Sequence, residues 1–439
     1  MKTYKFPAGY NFFKSIGRTI KQVKNPIGTM EESMKLFHGT YSVSLGTRKI
    51  IATQDPGFMD HVLKTNHRNY HKSPMVTDKL GRFLGNGLLT SNGEFWLKQR
   101  RLIQPGFHID KIKALYGIIK KTIDDFLNVL PTGERVDVYP LMNNLAFEIV
   151  INTLFDVVVP EASRRALNGF INETQAFVVK DIRQPYFSWW FRLSGAVQKN
   201  IENSQQARSI IRNIIQERKL SGKKFNDLLD MLLDARYEDN GESMNEDRII
   251  DEILVMIIAG HETTGNALSW MLYLLANHPN ELEKLKQETQ DLNLEQCVRH
   301  ERLHAVINET MRLYPPAWVS DRMALEDDTY QNYTYPKGSI VLLFYYGLHR
   351  DSTYWSDPES FIPDRFLKQN IDKDKQKAFY PFGAGPRLCI GNNFAMAEMT
   401  IFIQTIIRNF EILPTDVTPI INPLVTLRPD KVLLNIRKI

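Results

Sequence analysis

The chain has 439 residues, of which 43% are hydrophobic and 24% are charged, a balance typical of a soluble globular protein. Its formal net charge is +5, but bases and acids are interleaved and no aromatic–basic motif occurs, which argues against nucleic-acid binding. Two cysteines are too few for a disulfide framework and favour a reducing, cytoplasmic location. We find neither an apolar signal core nor a stretch long enough to serve as a transmembrane anchor.

No linker, low-complexity tract or internal repeat divides the chain, so we expect a single domain over residues 1–439. The packing of a leader, residues 1–36, is not determined by its sequence. Alternating β-branched residues around Gly46 and Thr47 predict a hairpin at 41–53. Apolar residues at helical spacing then predict helices at 111–130, 141–155, 204–219, 247–277, 281–290, 301–313 and 392–410. Further strands are predicted at 339–344 and 431–436. The pattern indicates a mainly α fold, a large helical body with a small β portion.

The predicted helix at 247–277 is the longest. Ser243 or Asn245 can cap its start, and Glu246 and Asp247 suit its first turn. Roughly thirty residues make a helix about 45–50 Å long, enough to cross a whole domain. Its middle is apolar on every side, as expected for a buried helix.

Polar residues and glycines interrupt this apolar middle in the run Ala259-Gly260-His261-Glu262-Thr263-Thr264-Gly265. Each glycine weakens a helix by about 1 kcal/mol relative to alanine, and a cost in a core helix suggests a function. Ala259 and Thr263 are four residues apart and share a face. Two structural alternatives remain open: Thr263 bonds the carbonyl four residues back, and Glu262 is a buried ion-pair partner. His261 faces away from Thr263 and is interpreted as structural.

The second informative run is Phe382-Gly383-Ala384-Gly385-Pro386-Arg387-Leu388-Cys389-Ile390-Gly391. It presents one thiol on a glycine-bracketed turn before a predicted helix. A helix N-terminus and a nearby arginine favour the thiolate, and backbone N–H groups can tune a bound metal. The alternatives are a buried apolar cysteine, a catalytic nucleophile and a zinc ligand. No histidine follows His349 to act as a base, and Cys297 has no paired spacing suited to zinc.

These two runs resemble the haem-binding loop, F-x-x-G-x-R-x-C-x-G, and the oxygen-binding motif, A-G-x-[DE]-T-T, of cytochromes P450. The resemblance implies a cytochrome P450 fold with a buried haem b and Cys389 as its axial iron ligand. It also implies that Ala259, Phe382 and Gly391 contact the cofactor. Thr263 and Glu262 would be the catalytic residues that manage protons during O2 activation.

Further motifs match the same family in the expected order. Glu309-Thr310-Met311-Arg312 resembles its E-x-x-R helix, and 361–366 resembles its P-E-R-F loop, with Asp364 in place of Glu. The resemblance implies a buried structural cluster of Glu309, Arg312 and Arg365, whose disruption would leave buried charge unpaired. It also implies that the haem propionates are held by Trp96, Arg100, Arg322 and Arg387.

The substrate is not named by the sequence. By family position, the pocket would be lined by apolar residues, which suit a lipid-like molecule such as a fatty acid or terpenoid: Val255, Ile258, Ala259, Trp318, Val319, Leu424 and Val425. Charged and aromatic residues in the same regions leave open a polar substrate such as a methylated sugar: Arg82, Lys180, Arg183, Gln184, Tyr186, Trp189 and Trp190. For the aromatic stretch 186–191 we favour a helix contact or a membrane-touching lid.

The resemblance implies a soluble, bacterial-type haem-thiolate monooxygenase that inserts one oxygen atom of O2 into an organic substrate, by hydroxylation or oxidative O-demethylation. Too few residues follow the haem loop for a flavin domain, so electrons are expected from a separate ferredoxin or flavodoxin with its NAD(P)H reductase. Lys98 and Arg101 are candidates to dock such an acidic partner. The alternatives are a haem-thiolate peroxygenase or rearrangement enzyme, and a non-enzymatic haem sensor.

Overall fold

The computed structural model describes residues 3–45, 48–155, 159–184 and 187–439. The described chain is mainly helical, as predicted. Its helices are α1 Phe12–Lys24, α2 Pro26–Leu36, α3 Pro56–Asp60, α4 Pro74–Thr77, α5 Gly81–Leu84, α6 Gly93–Ile103, α7 Ile109–Ala114, α8 Tyr116–Asn128, α9 Val138–Leu154, α10 Glu161–Arg183, α11 Ser188–Leu193, α12 Ala196–Ser221, α13 Leu228–Asp234, α14 Glu246–Asn277, α15 Pro279–Thr289, α16 Leu294–Val298, α17 Glu301–Leu313, α18 Tyr345–Leu348, α19 Lys373–Lys377 and α20 Asn392–Asn409.

The strands are short. They are β1 Gly9–Tyr10, β2 Thr40–Leu45, β3 Arg48–Thr53, β4 Tyr70–His71, β5 Gly133–Asp137, β6 Ser320–Ala324, β7 Asp328–Tyr330, β8 Tyr333–Tyr335, β9 Ile340–Leu343, β10 Phe410–Pro414, β11 Ile421–Pro423, β12 Leu427–Pro429 and β13 Leu433–Lys438. The chain divides into two compact units. Unit 1 contains Met1–Ser73, Asn308–Cys389 and Ile421–Arg428, and unit 2 contains the remainder. Each unit is built from separated stretches of chain, and the single domain predicted over 1–439 stays a prediction.

Unit 1 is organised by a six-stranded sheet in the order β1-β2-β3-β9-β6-β4. The predicted hairpin is present as antiparallel β2 and β3, in which Thr40 pairs with Thr53. Its predicted turn residues, Gly46 and Thr47, lie outside the described residues. At the other edge, His71 of β4 pairs with Met323 of β6, which brings the residues that follow β4 beside Arg322.

The leader forms α1 and α2, which the sequence did not predict. Arg18 joins them, since its guanidinium donates to the Thr29 carbonyl at 2.8 Å and to the Ser33 hydroxyl at 2.7 Å. Met30 and Met34 of α2 are both 2% exposed and enter the hydrophobic core of unit 1. The leader is therefore an ordered part of this unit.

Unit 2 is built around α14, whose 32 residues span about 48 Å at 1.5 Å per residue. The side chain of Asn245 accepts the Arg248 N–H and caps the helix, as the sequence predicted. Helix α9 packs along α14. The unit also contains the antiparallel sheet β10-β13-β5.

The two glycines of the α14 motif have a packing role that the sequence analysis missed. A Cβ at Gly265 would lie 2.9 Å from Cα of Asn143, and a Cβ at Gly260 would lie 3.0 Å from Cγ2 of Val150. Asn143 and Val150 are seven residues apart and so lie on one face of α9. The close approach of α9 and α14 explains both glycines, and their helix-weakening cost is not by itself evidence of catalysis.

Several predicted elements differ in extent from the observed ones. The helix predicted at 111–130 is interrupted at Leu115, where α7 ends before α8 begins. The helix predicted at 204–219 extends to Ala196–Ser221, and α10 was not predicted. Within the described ranges, none of the helices combines the length and the apolar character that crossing a bilayer requires.

Candidate active site

The thiol of Cys389 is exposed at the end of a tight loop in unit 1. The loop is closed by two backbone hydrogen bonds, from Gly383 N–H to Tyr380 O at 3.2 Å and from Cys389 N–H to Phe382 O at 3.0 Å. Gly383 and Gly385 both have positive φ, +71° and +68°, which favours glycine. A Cβ at Gly385 would also lie 1.9 Å from the Leu63 carbonyl oxygen. Backbone conformation and close packing thus fix the presentation of the thiol.

Helix α20 begins at Asn392, three residues after Cys389, with Gly391 at its N-cap position. A Cβ at Gly391 would meet no atom of the described chain within 4 Å. The packing of the chain itself therefore does not require glycine at this position. The geometry is compatible with a bound group that requires a glycine at position 391, as the sequence motif implies.

A buried charge cluster braces unit 1. The Glu309 carboxylate accepts bonds from Arg312 at 2.7 and 2.9 Å, from Arg365 at 3.3 Å and from the Ile362 N–H at 2.8 Å. Glu309 and Arg312 are both 0% exposed. Arg312 also donates to three carbonyl oxygens, those of His349, Pro358 and Ser360, at 2.7–3.0 Å. The cluster ties α17 to the chain that leads toward the Cys389 loop.

A group of cations surrounds the end of β4 in unit 1. Burial, followed by the positive charges of Arg387 and Arg322, holds the pKa of Lys72 well below its usual range, while Asp321 acts in the opposite direction. Burial and Arg387 also lower the pKa of His71. A cluster of cations beside Asp321 favours an anionic ligand. His71 and Lys72 were missed by the sequence analysis, because only the pairing of β4 with β6 brings them beside Arg322.

Trp96 and Arg100 lie in α6 of unit 2, four residues apart and therefore on one helix face. Both are half-buried. The Arg100 Nε donates to Oε1 of Gln104 at 3.1 Å, which fixes the guanidinium along the helix. Lys98, a candidate docking residue, is exposed and pairs with Asp239 at 2.6 Å. An acidic partner would have to compete with that carboxylate.

Helix α14 has one uncovered face in an otherwise buried middle. Ala259 is exposed, whereas Val255 and Ile258 are each 6% exposed. Met256 and Thr263 are partly exposed and lie three residues before and four residues after Ala259, on the same helix face. The predicted catalytic face is therefore the face that the rest of unit 2 leaves open.

The hydroxyl of Thr263 is engaged within its own helix. It donates to the Ala259 carbonyl oxygen at 2.6 Å. This is the hydrogen bond that the structural alternative for Thr263 predicted. Its neighbour Glu262 is 5% exposed, which makes it a buried carboxyl group. His261 is also buried and packs edge-on against Phe147 at 5.8 Å. Burial lowers the pKa of His261 to about 4, which keeps it neutral near pH 7.

Two acids at the start of α14 hold the loop that follows α5. Asp251 accepts the Asn86 N–H at 2.8 Å and pairs with Arg208, and Glu252 accepts the Leu88 N–H at 3.0 Å. Burial raises the pKa of Glu252 to about 7, opposed by the Leu88 N–H and reinforced by Asp251. The sequence analysis did not identify this role, because the two acids contact backbone groups about 165 residues earlier in the chain.

The predicted substrate residues fall in both units. Val255, Ile258 and Ala259 belong to α14, and Val425 is 43% exposed in unit 1. Trp318 is 5% exposed inside the core of unit 1, against which Val319 packs. Its indole N–H donates to the Leu424 carbonyl at 3.1 Å. Val255 and Ile258 are buried to a similar extent, and the assignment of Trp318 to the pocket stays a prediction.

The polar and aromatic candidates are mostly at the surface. Arg82 and Lys180 are exposed, and Gln184 is half-buried. Among the described residues of the aromatic stretch, Phe191 is the buried one, at 4% exposure, and packs against Phe177, while Phe187, Trp189 and Trp190 are 45–60% exposed. Tyr186 and the side chain of Arg183 lie outside the described residues.

Comparison with known proteins assigns the chain to a class. The profile of the family described as cytochrome P450 matches residues 7–436. Cyclooctat-9-en-7-ol 5-monooxygenase of Streptomyces melanosporofaciens is 27% identical over 405 residues, covering 91% of this chain and 88% of the relative. Cytochrome P450 4F11 of Homo sapiens is 31% identical over 380 residues, covering 79% and 72%. The crystal structure of the cytochrome P450DA heme domain superimposes with a TM-score of 0.88 at 22% identity, covering 99% and 97%.

The chain belongs to the cytochrome P450 family. It is a haem-thiolate monooxygenase with haem b as its cofactor, an oxidoreductase that incorporates an atom of O2 into an organic substrate. The predicted family, fold class, cofactor and enzyme class are confirmed.

The residues of each unit fit haem b. In unit 1, an exposed thiol and several cations suit an iron atom and two carboxylates. In unit 2, the open face of α14 offers apolar surface around Ala259. Among the described residues, no group of three or more His, Cys, Asp or Glu could hold a metal ion. This composition is compatible with a haem iron, which is bound by its porphyrin ring and needs one ligand from the protein.

Proposed function

We propose that Cys389 is the axial thiolate ligand of the haem iron, with Phe382 and Gly391 shaping the loop around it. The observation that carries this proposal is the exposed thiol on a loop fixed by Gly383, Gly385 and the bond from Cys389 N–H to Phe382 O. When bound, the haem supplies the redox chemistry that activates O2. The loop's part is to hold one sulfur atom in a defined position.

The haem carboxylates are assigned to two sets of donors. Arg322 and Arg387 belong to unit 1 and Trp96 and Arg100 to unit 2, all four implied by the family motifs. Lys72 joins the first set, with His71 beside it. The lowered pKa of Lys72, caused by burial and by the two arginines, supports this addition because an anion there would relieve the repulsion.

Thr263 and Glu262 are assigned to proton handling on the open face of α14. Because the Thr263 hydroxyl hydrogen is directed to the Ala259 carbonyl, its oxygen keeps lone pairs that accept a hydrogen bond from a water molecule or another donor. Glu262, buried next to it in the chain, can hold or release a proton. Ala259 supplies the small side chain that leaves room beside the hydroxyl.

The substrate class that the structure supports best is an apolar molecule. The predicted pocket residues all have hydrophobic side chains: Val255, Ile258, Ala259, Trp318, Val319, Leu424 and Val425. The relative from Streptomyces is named for an unsaturated alcohol, cyclooctat-9-en-7-ol, which is compatible with a lipid-like substrate here. The charged residues considered for a methylated sugar are mostly exposed, so hydroxylation of an apolar molecule is preferred to oxidative O-demethylation.

Electrons are assigned to a separate ferredoxin or flavodoxin served by an NAD(P)H reductase. Arg101 is exposed on α6, and Lys98 beside it would exchange Asp239 for an acid of the partner. Higher ionic strength screens such contacts, so reduction by the partner should slow as salt is raised. Peroxide-only activity would instead favour a peroxygenase, and binding without turnover in the presence of reductant would favour a sensor.

The decisive test is spectroscopic. The reduced, carbon-monoxide-treated wild-type protein should absorb at the wavelength typical of thiolate-ligated haem, and Cys389→Ala should lose that band. Cys297→Ala is the matched control and should keep it, since Cys297 is 0% exposed and burial raises its pKa to about 12. Retention of the band in Cys389→Ala would refute the assignment. Substrates can then be screened by the haem band shift, with fatty acids and terpenoid alcohols compared against methylated sugars.

A further inference from the structure

His349 occupies the space between the charge cluster and the Cys389 loop in unit 1. Its side chain is completely buried, at 0% exposure. On one side, its carbonyl oxygen accepts a bond from Nη1 of Arg312 at 2.9 Å. On the other, its Nε2 accepts the Tyr380 N–H at 2.9 Å. One residue thus contacts both structures.

The hydrogen bonds continue from Tyr380 to the thiol. The Tyr380 carbonyl accepts the Gly383 N–H at 3.2 Å, and the Phe382 carbonyl accepts the N–H of Cys389 itself at 3.0 Å. A short sequence of backbone bonds therefore leads from His349 to Cys389. Arg312 is connected to this series of hydrogen bonds through its bond to the backbone carbonyl of His349.

We propose that His349 is a positioning residue that holds the Cys389 loop in register with the charge cluster. This inference rests on the proposed role of Cys389 as the haem ligand. The proposed role requires a hydrogen-bond acceptor at the position of Nε2 that receives the N–H of Tyr380. Packing must hold this acceptor in place.

Packing around the imidazole ring of His349 holds the ring in place. The imidazole lies against Phe379 with ring centroids 5.3 Å apart, and Phe379 contacts Phe366 at 4.6 Å and Trp355 at 6.2 Å. Arg312 covers the Trp355 ring at 5.3 Å. One aromatic cluster therefore contacts both His349, through Phe379, and Arg312, through Trp355. The ring cannot rotate away from Tyr380 without displacing this cluster.

The protonation state of the ring suits the role. A nitrogen that accepts a backbone N–H carries no proton, so the neutral ring has its proton on Nδ1. Burial, with the charges of Arg312 and Arg350, lowers the pKa of His349 to about 3, against a smaller opposing effect of the Met311 and Arg312 backbone. Nε2 therefore remains an acceptor throughout the neutral pH range.

The competing explanation is that His349 only fills space in the core. Two substitutions separate the alternatives in the holoenzyme. His349→Phe fills the same space without an acceptor, whereas the side-chain oxygen of glutamine in His349→Gln can reach the Nε2 position. A space-filling role predicts that phenylalanine is the better replacement, and a positioning role predicts the reverse.

Three properties are measured on each variant: hydrogen exchange of the Tyr380 amide, the reduction potential of the haem, and the fraction of the reduced carbon-monoxide complex in the thiolate band. We expect His349→Phe to exchange the Tyr380 amide at least about tenfold faster, to shift the potential and to lose part of the band. His349→Gln should stay close to wild type in all three. The control, His304→Phe, removes a histidine that bonds the Val298 carbonyl at 2.7 Å and should leave them unchanged.

Wild-type properties in His349→Phe would overturn the inference, as would equal losses in the phenylalanine and glutamine variants. If His349→Phe does not fold, the wild-type protein decides, because a Tyr380 amide that exchanges as fast as the exposed amides around it would exclude the proposed bond. A wild-type protein that lacks the thiolate band would instead refute the proposed role of Cys389.

Discussion

The hydroxyl of Thr263 donates a hydrogen bond to the carbonyl oxygen of Ala259, four residues earlier in α14, at 2.6 Å. The bond directs the hydroxyl hydrogen into the helix and leaves the oxygen as an acceptor on the open face. This is the hydrogen bond of the structural alternative that the sequence left open for Thr263, and a catalytic role for the residue stays a prediction. The Thr263 side chain is therefore bonded to its own helix, and its oxygen can accept a hydrogen bond from a proton donor.

Thr263→Ala should lower the amount of product formed per electron consumed, because the acceptor that orders a proton donor is removed. Thr263→Ser keeps the hydroxyl and should restore most of the ratio. Product, reductant consumption and hydrogen peroxide measured in the same reaction give the ratio directly. Thr264→Ala is the matched control, since Thr264 is 4% exposed and lies off the open face. An unchanged ratio in Thr263→Ala would remove Thr263 from the proposed mechanism.

Gly265→Ala should destabilise the fold although alanine is the better helix former. The new Cβ would lie 2.9 Å from the Cα of Asn143, a backbone atom that cannot move without separating α9 from α14. We expect a loss of about 1–3 kcal/mol in the free energy of unfolding. Gly169→Ala in α10 is the control, because nothing lies within 4 Å of its Cβ, and it should gain about 0.5–1 kcal/mol. Equal effects in denaturant unfolding would contradict this explanation.

The long helix and the thiol loop could both be predicted from the sequence, but for different reasons. Helix α14 was predictable because its apolar content and its Asn245 cap are local features of the sequence. Cys389 was identified from glycines and an arginine at fixed spacing, and the positive φ values of Gly383 and Gly385 explain that spacing. Local backbone geometry is what a short motif encodes well.

Contacts between distant residues were not predictable in the same way. His349 and Tyr380 are 31 residues apart, and neither belongs to a motif that the sequence analysis used. Lys72 needed the pairing of β4 with β6 before its neighbours were known. Trp318 was assigned to the pocket by family position, and its packing in the core of unit 1 depends on tertiary contacts that the sequence does not show.

Glu309→Gln should be strongly destabilising. The carboxylate lies between two buried guanidinium groups, those of Arg312 and Arg365, and a neutral amide would leave their charge uncompensated. We expect a loss of about 3–5 kcal/mol together with weaker haem retention during purification. Asp125→Asn, which breaks the exposed pair with Lys121, should cost less than about 0.5 kcal/mol. Similar losses in the two variants would show that the cluster does not brace the fold.

His261 makes the fold sensitive to acid. Its folded pKa of about 4 lies below the ordinary value of 6.5, so the unfolded chain binds more protons between these values. The free energy of unfolding should therefore fall as the pH drops from 6.5 to 4, by about 3 kcal/mol from this group. His261→Leu should flatten part of the decline in thermal or denaturant unfolding, while His349 sustains the rest. Parallel curves for the variant and the wild type would contradict the prediction.

Glu252 has the opposite pH dependence. Its folded pKa of about 7 lies above the ordinary 4.5, so the folded protein binds the extra proton between these values. Stability should fall as the pH rises from 4.5 to 7, because ionising a buried carboxyl group is costly. Glu252→Gln keeps an acceptor for the Leu88 N–H without a charge. It should match wild type below pH 4.5 and exceed it by about 3 kcal/mol above pH 7. The exposed Glu134→Gln should show no such difference, and unfolding curves that stay parallel from pH 5 to 8 would refute the buried, proton-binding state of Glu252.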